Sequence, residues 1–110
     1  MTQPTILFHY ADENIHVNIN IFFKQGDLVV EGIDKGPVVL HKTGKNAFKY
    51  ALRVSANNLN QLYQQLELAP NSKERLIHYF TDKYAINTCI SEIGSLLNKG
   101  DIPFEYHSWH

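Results

Sequence analysis

Between Ala47 and Leu66 the spacing of apolar residues switches from every second position to the spacing of a helix, which sets a strand and a helix side by side in one short stretch. In Ala47–Val54, read AFKYALRV, Phe48, Tyr50, Leu52 and Val54 fall on one face and Lys49, Ala51 and Arg53 on the other. That is the period of two of a half-buried strand. Ser55 then offers a helix N-cap, and Leu59, Leu62, Tyr63 and Leu66 form one apolar stripe over about Ala56–Glu67. The rest of the chain can be laid against this strand-to-helix unit.

Thr5–Tyr10 fits a first strand with Ile6, Phe8 and Tyr10 on one side and Leu7 and His9 on the other, followed by the polar turn Ala11–Asn14. The clearest strand comes next. Ile15, Val17, Ile19, Ile21 and Phe23 alternate with His16, Asn18, Asn20 and Phe22, so one face meets a core and the other water or a polar partner. Lys24-Gln25-Gly26-Asp27 supplies a hairpin turn with a glycine available for positive φ, and Leu28–Ile33 returns as a strand. After the turn Asp34–Pro37, residues 37–42 fit a short strand, one helical turn or an irregular crossing, and Thr43–Asn46 turns the chain into Ala47. Two more helices follow the first. One is expected to open on a capping box of Asn71 and Glu74 and carries Leu76, Ile77, Phe80 and Tyr84. The other runs from about Asn87 or Thr88, with Ile90, Ile93, Leu96 and Leu97 inward, to Gly100 as a left-handed cap. Ile102–Trp109 closes the chain as a strand, with Phe104 and Tyr106 opposite Glu105, His107 and Trp109.

The pattern predicts a single α+β domain over residues 1–110: a mainly antiparallel sheet of four to six strands, with three consecutive helices packed on one face. Asn18, Asn20, Lys49, Arg53, Glu105 and His107 are then expected on the opposite, open face. Ten Lys and Arg stand against eleven Asp and Glu, with no basic run longer than two, so nucleic acid is not an expected partner. Apolar stretches of four residues or fewer exclude a membrane-spanning helix. With no secretory signal pattern and a single cysteine, the expected location is cytoplasmic and no disulfide is expected within the chain.

Three segments together resemble a known pattern: Gly26-Asp27-Leu28-Val29-Val30-Glu31-Gly32 with Asp34 and Gly36; Phe48-Lys49-Tyr50 entering a helix; and Ile102-Pro103-Phe104-Glu105-Tyr106-His107-Ser108-Trp109. They are similar to a group of small uncharacterised bacterial proteins with a GDLVIEG-like hairpin, a YEY strand and a closing IPFE-x-x-SW strand. Lys49 departs from it, standing where that pattern has an acid. The resemblance implies a link to toxin-neutralising immunity proteins, and it implies no reaction and no cofactor.

Chemistry-bearing patterns are sparse. His107 and His110 are three apart, which puts them on opposite faces of a strand, and a metal site needs further ligands. His9 and His16 flank Asp12 and Glu13 near the first turn, where a cation could bind adventitiously, and His78 reads as a packing or helix-surface residue. Cys89 falls on the apolar stripe of its helix and reads as a small buried hydrophobe rather than a nucleophile. No serine has a nucleophile-elbow context and no glycine loop is spaced to cradle phosphate. Glu31 and Glu105 would form a carboxylate pair only if their strands were neighbours. What remains is recognition by an open sheet face, with Glu31, Lys49, Arg53, Glu105, His107 and Trp109 as binding candidates and no metal ligands assigned. The expected function is a non-enzymatic protein-binding module of immunity or antitoxin type, with a homodimer through sheet edges as a further expectation. The alternative is a small metal-binding or hydrolytic enzyme using His107, Glu105 and Glu31. Trp109 fits an interface anchor and a rim-packing residue equally.

Overall fold

The computed structural model describes residues 4–109. In chain order the elements are β1 (Thr5–Ala11), β2 (His16–Lys24), β3 (Asp27–Lys35), α1 (Pro37–Thr43), β4 (Ala47–Val54), a 3₁₀ turn (Ala56–Asn58), α2 (Leu59–Gln65), α3 (Lys73–Lys83), α4 (Cys89–Lys99) and β5 (Glu105–Trp109). The strands form one antiparallel sheet in the order β1-β2-β3-β4-β5. This is the α+β architecture that the alternation predicts, with the last strand returning beside β4 after the helices.

Register follows from burial. Phe23 pairs with Leu28, Ile21 with Val30 and Ile19 with Gly32, and the same rows continue through Val54, Leu52 and Tyr50 of β4. These side chains share one face and are buried together with Leu59, Leu62 and Tyr63 of α2, Leu76 and Phe80 of α3, and Cys89, Ile93 and Leu97 of α4. A one-residue slip of a strand would turn its share of these side chains to water. Each fully buried aliphatic side chain contributes about 1.5–3 kcal/mol of transfer free energy, so the register is held by the core rather than by the turns.

Local chemistry departs from expectation at several points. Residues 37–42, which the sequence leaves open between a strand, a helical turn and an irregular crossing, are helical: Pro37 opens α1, where a missing N–H costs nothing, so a fourth α-helix lies between β3 and β4. Leu7 interrupts the alternation of β1 through a register shift between Ile6 and Phe8. Leu7 is buried, while Ile6 turns to the other face and is 63% exposed. Asn71 does not cap α3; it takes φ 61° in the preceding loop, and Ser72 stands at the N-cap without a side-chain bond to the helix. Ser55 does cap, accepting from the Asn57 N–H at 3.3 Å.

The end of α4 is displaced by one residue from the expected cap. Asp101, not Gly100, is left-handed, with φ 54°. Its N–H donates to the Asn98 carbonyl, and the Ile102 N–H donates to the Leu97 carbonyl at 2.9 Å. That pattern is a Schellman closure, with buried Ile102 as its apolar contact. Gly100 is small for another reason: a Cβ there would overlap the side-chain amide of Gln65, whose Nε2 donates to the Leu96 carbonyl at 2.9 Å and ties α2 to α4.

Candidate functional site

The second face of the sheet takes no part in the helix-backed core. Pairing arranges it in rows. The first row runs Phe22, Val29, Arg53, Glu105; the second Ile6, Asn20, Glu31, Ala51, His107; the third His9, Asn18, Ile33, Lys49, Trp109; the fourth Ala11, His16, Lys35, Ala47. All six candidate binding residues therefore lie on this one face, as their alternation requires. Its floor is apolar at the centre: Val29, between Phe22 and Arg53, is only 5% exposed.

The six residues divide into two groups. Glu31, Lys49 and Trp109 line a depression of about 260 Å³ together with Asn18, Asn20, Gly32 and Ile33. Arg53 and Glu105 line a second hollow of about 300 Å³ with Asp27, Ser55, Asn58, Pro103 and Phe104. His107 lies between them and faces Ala51, with its Nε2 3.5 Å from the Glu105 carboxylate on the same exposed edge.

Arg53 is committed to structure. Its Nε donates to Asp27 Oδ2 at 2.7 Å, while Asp27 Oδ1 accepts from the Ala56 N–H at 2.8 Å. The Ala56 N–H, and after it Arg53, hold the Asp27 carboxyl below the usual aspartate range. One carboxylate thus fixes the hairpin turn of β2 and β3 to the point where β4 becomes helix. Nothing in the sequence pattern marks Asp27 for this, because its partners are 26 and 29 residues away.

A second unit lies on the core side. The Tyr50 ring covers Gly32, its cross-strand neighbour, where a Cβ would overlap the ring. The Tyr50 hydroxyl donates to Asp34 Oδ1 at 2.8 Å, and burial, reinforced by that carboxylate, pushes the phenol far above its ordinary range. Gly26, Asp27, Gly32 and Asp34 of the hairpin motif are thereby accounted for as turn, clamp, ring slot and hydroxyl acceptor. All four are structural roles.

Of the three residues in the enzyme alternative, His107 and Glu105 meet and Glu31 stands apart. β4 separates Glu31 from Glu105, so the two carboxylates are not on neighbouring strands, and the pairing considered from sequence does not form. Among the described residues no group of three or more His, Cys, Asp or Glu converges to hold a metal ion. Asp12 serves its own turn, accepting from the Tyr10 hydroxyl and the Asn14 and Ile15 N–H groups at 2.7–2.9 Å. Cys89 is fully buried, and burial pushes its thiol up to about 11, so it is protonated and shielded at neutral pH. His110 lies outside the described residues. No helix among the described residues is long and apolar enough to cross a membrane. Comparison with protein-family models, with curated proteins and with solved structures finds no match to this chain.

Proposed function

We propose that this chain is a non-catalytic, cytosolic protein-binding module whose partner docks on the uncovered sheet face. The observation that carries the reading is the gathering of Glu31, Lys49, Arg53, Glu105, His107 and Trp109 on that single face, around a floor of Val29, Ile33 and Ala51. Rigid strands present these side chains without a backbone ordering cost at binding, and a half-exposed Trp beside charged residues has the composition of an interface anchor. The immunity or antitoxin version of the reading rests on the likeness of the hairpin and closing strand to the small bacterial proteins named above.

Ala51 sits at the centre of the face, and Gln64 is exposed on α2 in the helix layer behind it. Tagged protein expressed in its native host is expected to co-purify one partner, retained by Gln64→Arg and lost by Ala51→Arg. Retention by both variants, or a tightly held small molecule with no protein, contradicts the reading. For the immunity version, co-expression with a toxin encoded beside the gene should restore growth, again in an Ala51-dependent way.

The sheet edge supports a second mode of association. All five residues of β5 are exposed, with Tyr106 at 49% and Trp109 at 45%, whereas the other edge, β1, is interrupted at Leu7. Light scattering across a concentration series reads whether two copies pair there.

A further inference from the structure

The uncovered face is electrically divided, although the formal charge of the whole chain is only −1. Its first two rows hold the carboxylates of Glu105 and Glu31 beside Arg53 and His107, with Asp27 facing Lys24 just beyond them and bound to Arg53. The third and fourth rows hold His9, His16, Lys35 and Lys49 and no carboxylate. α1 continues this end of the sheet, since it links Lys35 to Ala47, and its Val38 N–H donates to the Asn14 carbonyl at 3.1 Å. The helix and the turn after it add His41, Lys42 and Lys45. Four of the chain's ten cationic side chains therefore come from residues 35–49, a stretch with no acid.

Lys35, Lys42, Lys45 and Lys49 are all exposed, and none forms an ion pair among the described residues. Strand geometry puts the Lys35 and Lys49 backbones roughly 8 Å apart, within one Debye length at about 0.1 M salt. Like charges at that spacing repel one another and favour a counter-charge supplied from outside. The acids at the margins are differently placed. Asp12 is bonded within its own turn, Glu13 lies in the β1–β2 turn, Asp34 faces the core side, and Glu31 is one row inward. The Arg53 end is, by contrast, neutralised internally by Asp27.

We infer that the partner of this face is a protein that presents a cluster of carboxylates to the Lys35–Lys49 end. The inference rests on the docking reading above and names the chemistry of the occupant. A protein surface fits better than nucleic acid because Glu31 and Glu105 stand in the adjoining rows, where a continuous phosphate backbone would meet them. Partner basic groups would meet them favourably.

Trp109 is the chain's single tryptophan and lies across from Lys49, so its fluorescence reads occupancy of this end. The probe is poly-L-glutamate titrated at 0.05 M and 0.3 M salt, with poly-L-lysine and a single-stranded oligodeoxynucleotide of equal charge as comparisons. The expected result is a saturable Trp109 response to polyglutamate, weakened at least tenfold by the higher salt and by Lys42→Glu with Lys45→Glu, and absent with polylysine. The neutral pair Lys42→Gln with Lys45→Gln should fall between, and circular dichroism confirms that each variant is folded. No response, a response indifferent to the lysine changes, or tighter binding of the oligonucleotide overturns the inference. Those failures leave the Ala51-dependent co-purification untouched, whereas loss of the latter with a normal polyglutamate response removes the docking reading, and with it the assignment of a partner to this face, while the acid-binding end stands.

Discussion

The two faces of the sheet are built from the same strands at alternate positions, yet they obey different constraints. On the covered face Ile21, Leu28, Val30 and Val54 have no exposed surface, and their neighbours close around them on every side. On the uncovered face Glu31, Lys49, Glu105 and His107 are exposed, and neither lysine nor histidine is buried in a network. A side chain on the first face is chosen by volume and hydrophobicity. Away from buried Val29 and the Arg53–Asp27 clamp, one on the second is nearly free of stability constraints, so its charge and shape can vary without cost to the fold. The lesson is that function in this protein is to be sought where folding asks least.

Mutations on adjacent residues of β4 test that contrast most severely. Leu52→Ala should cost about 3–4 kcal/mol through lost transfer energy and a residual cavity, while Ala51→Ser should change stability by less than about 0.5 kcal/mol. Urea titrations of the pair read the difference directly, and similar losses at both positions would erase the distinction between faces. Gly32→Ala comes next, at about 2–3 kcal/mol, since the added methyl meets the Tyr50 ring. Combining it with Tyr50→Leu should cost less than the sum of the single changes, which a double-mutant cycle measures.

Smaller effects sharpen the boundary between structural and free charges. Arg53→Ala should destabilise by about 1 kcal/mol, because the Asp27 bond is short but partly solvated. Asp27 titrates below its unfolded value, so its contribution is complete above the ordinary aspartate range near pH 4 and is lost as pH falls through the lower folded value. Asp27→Asn should accordingly flatten the acid limb of the stability–pH curve. Cys89 acts at the other limb. Its stabilising effect is complete below the unfolded value of 9.0 and is lost as pH rises through about 11. Its thiol should react slowly with disulfide reagents at pH 8 until denaturant is added. Lys49→Glu, smallest of all, should leave the melting temperature within about a degree or two.

Much of this contrast is legible in the sequence. Strict alternation in residues 15–23 and 47–54 assigns each side chain to a face, because a period of two admits one burial solution. The stripes of α2, α3 and α4 then say which face they cover. What escaped were features settled by distant partners or by short, mixed signals. Residues 37–42 carry Val-Val-Leu, which suits a strand, and only the proline at the first helical position and the tether to Asn14 favour α1. The bulge at Leu7 is invisible because the apolar run Ile6, Leu7 and Phe8 satisfies either phase. Gly100 looked like a left-handed cap, whereas the Gln65 amide needs its missing side chain. The face of the candidate site was readable, but its grouping was not. Whether Glu31 meets Glu105 depends on strand order, and β4 inserts between them.

Site-specific photo-crosslinking in the native host tests the central claim most directly. A benzophenone side chain at Ala51 is expected to trap one discrete protein, and the same probe at Gln64 on the helix layer should trap none. Equal labelling from both positions, or labelling only from Gln64, would contradict the account.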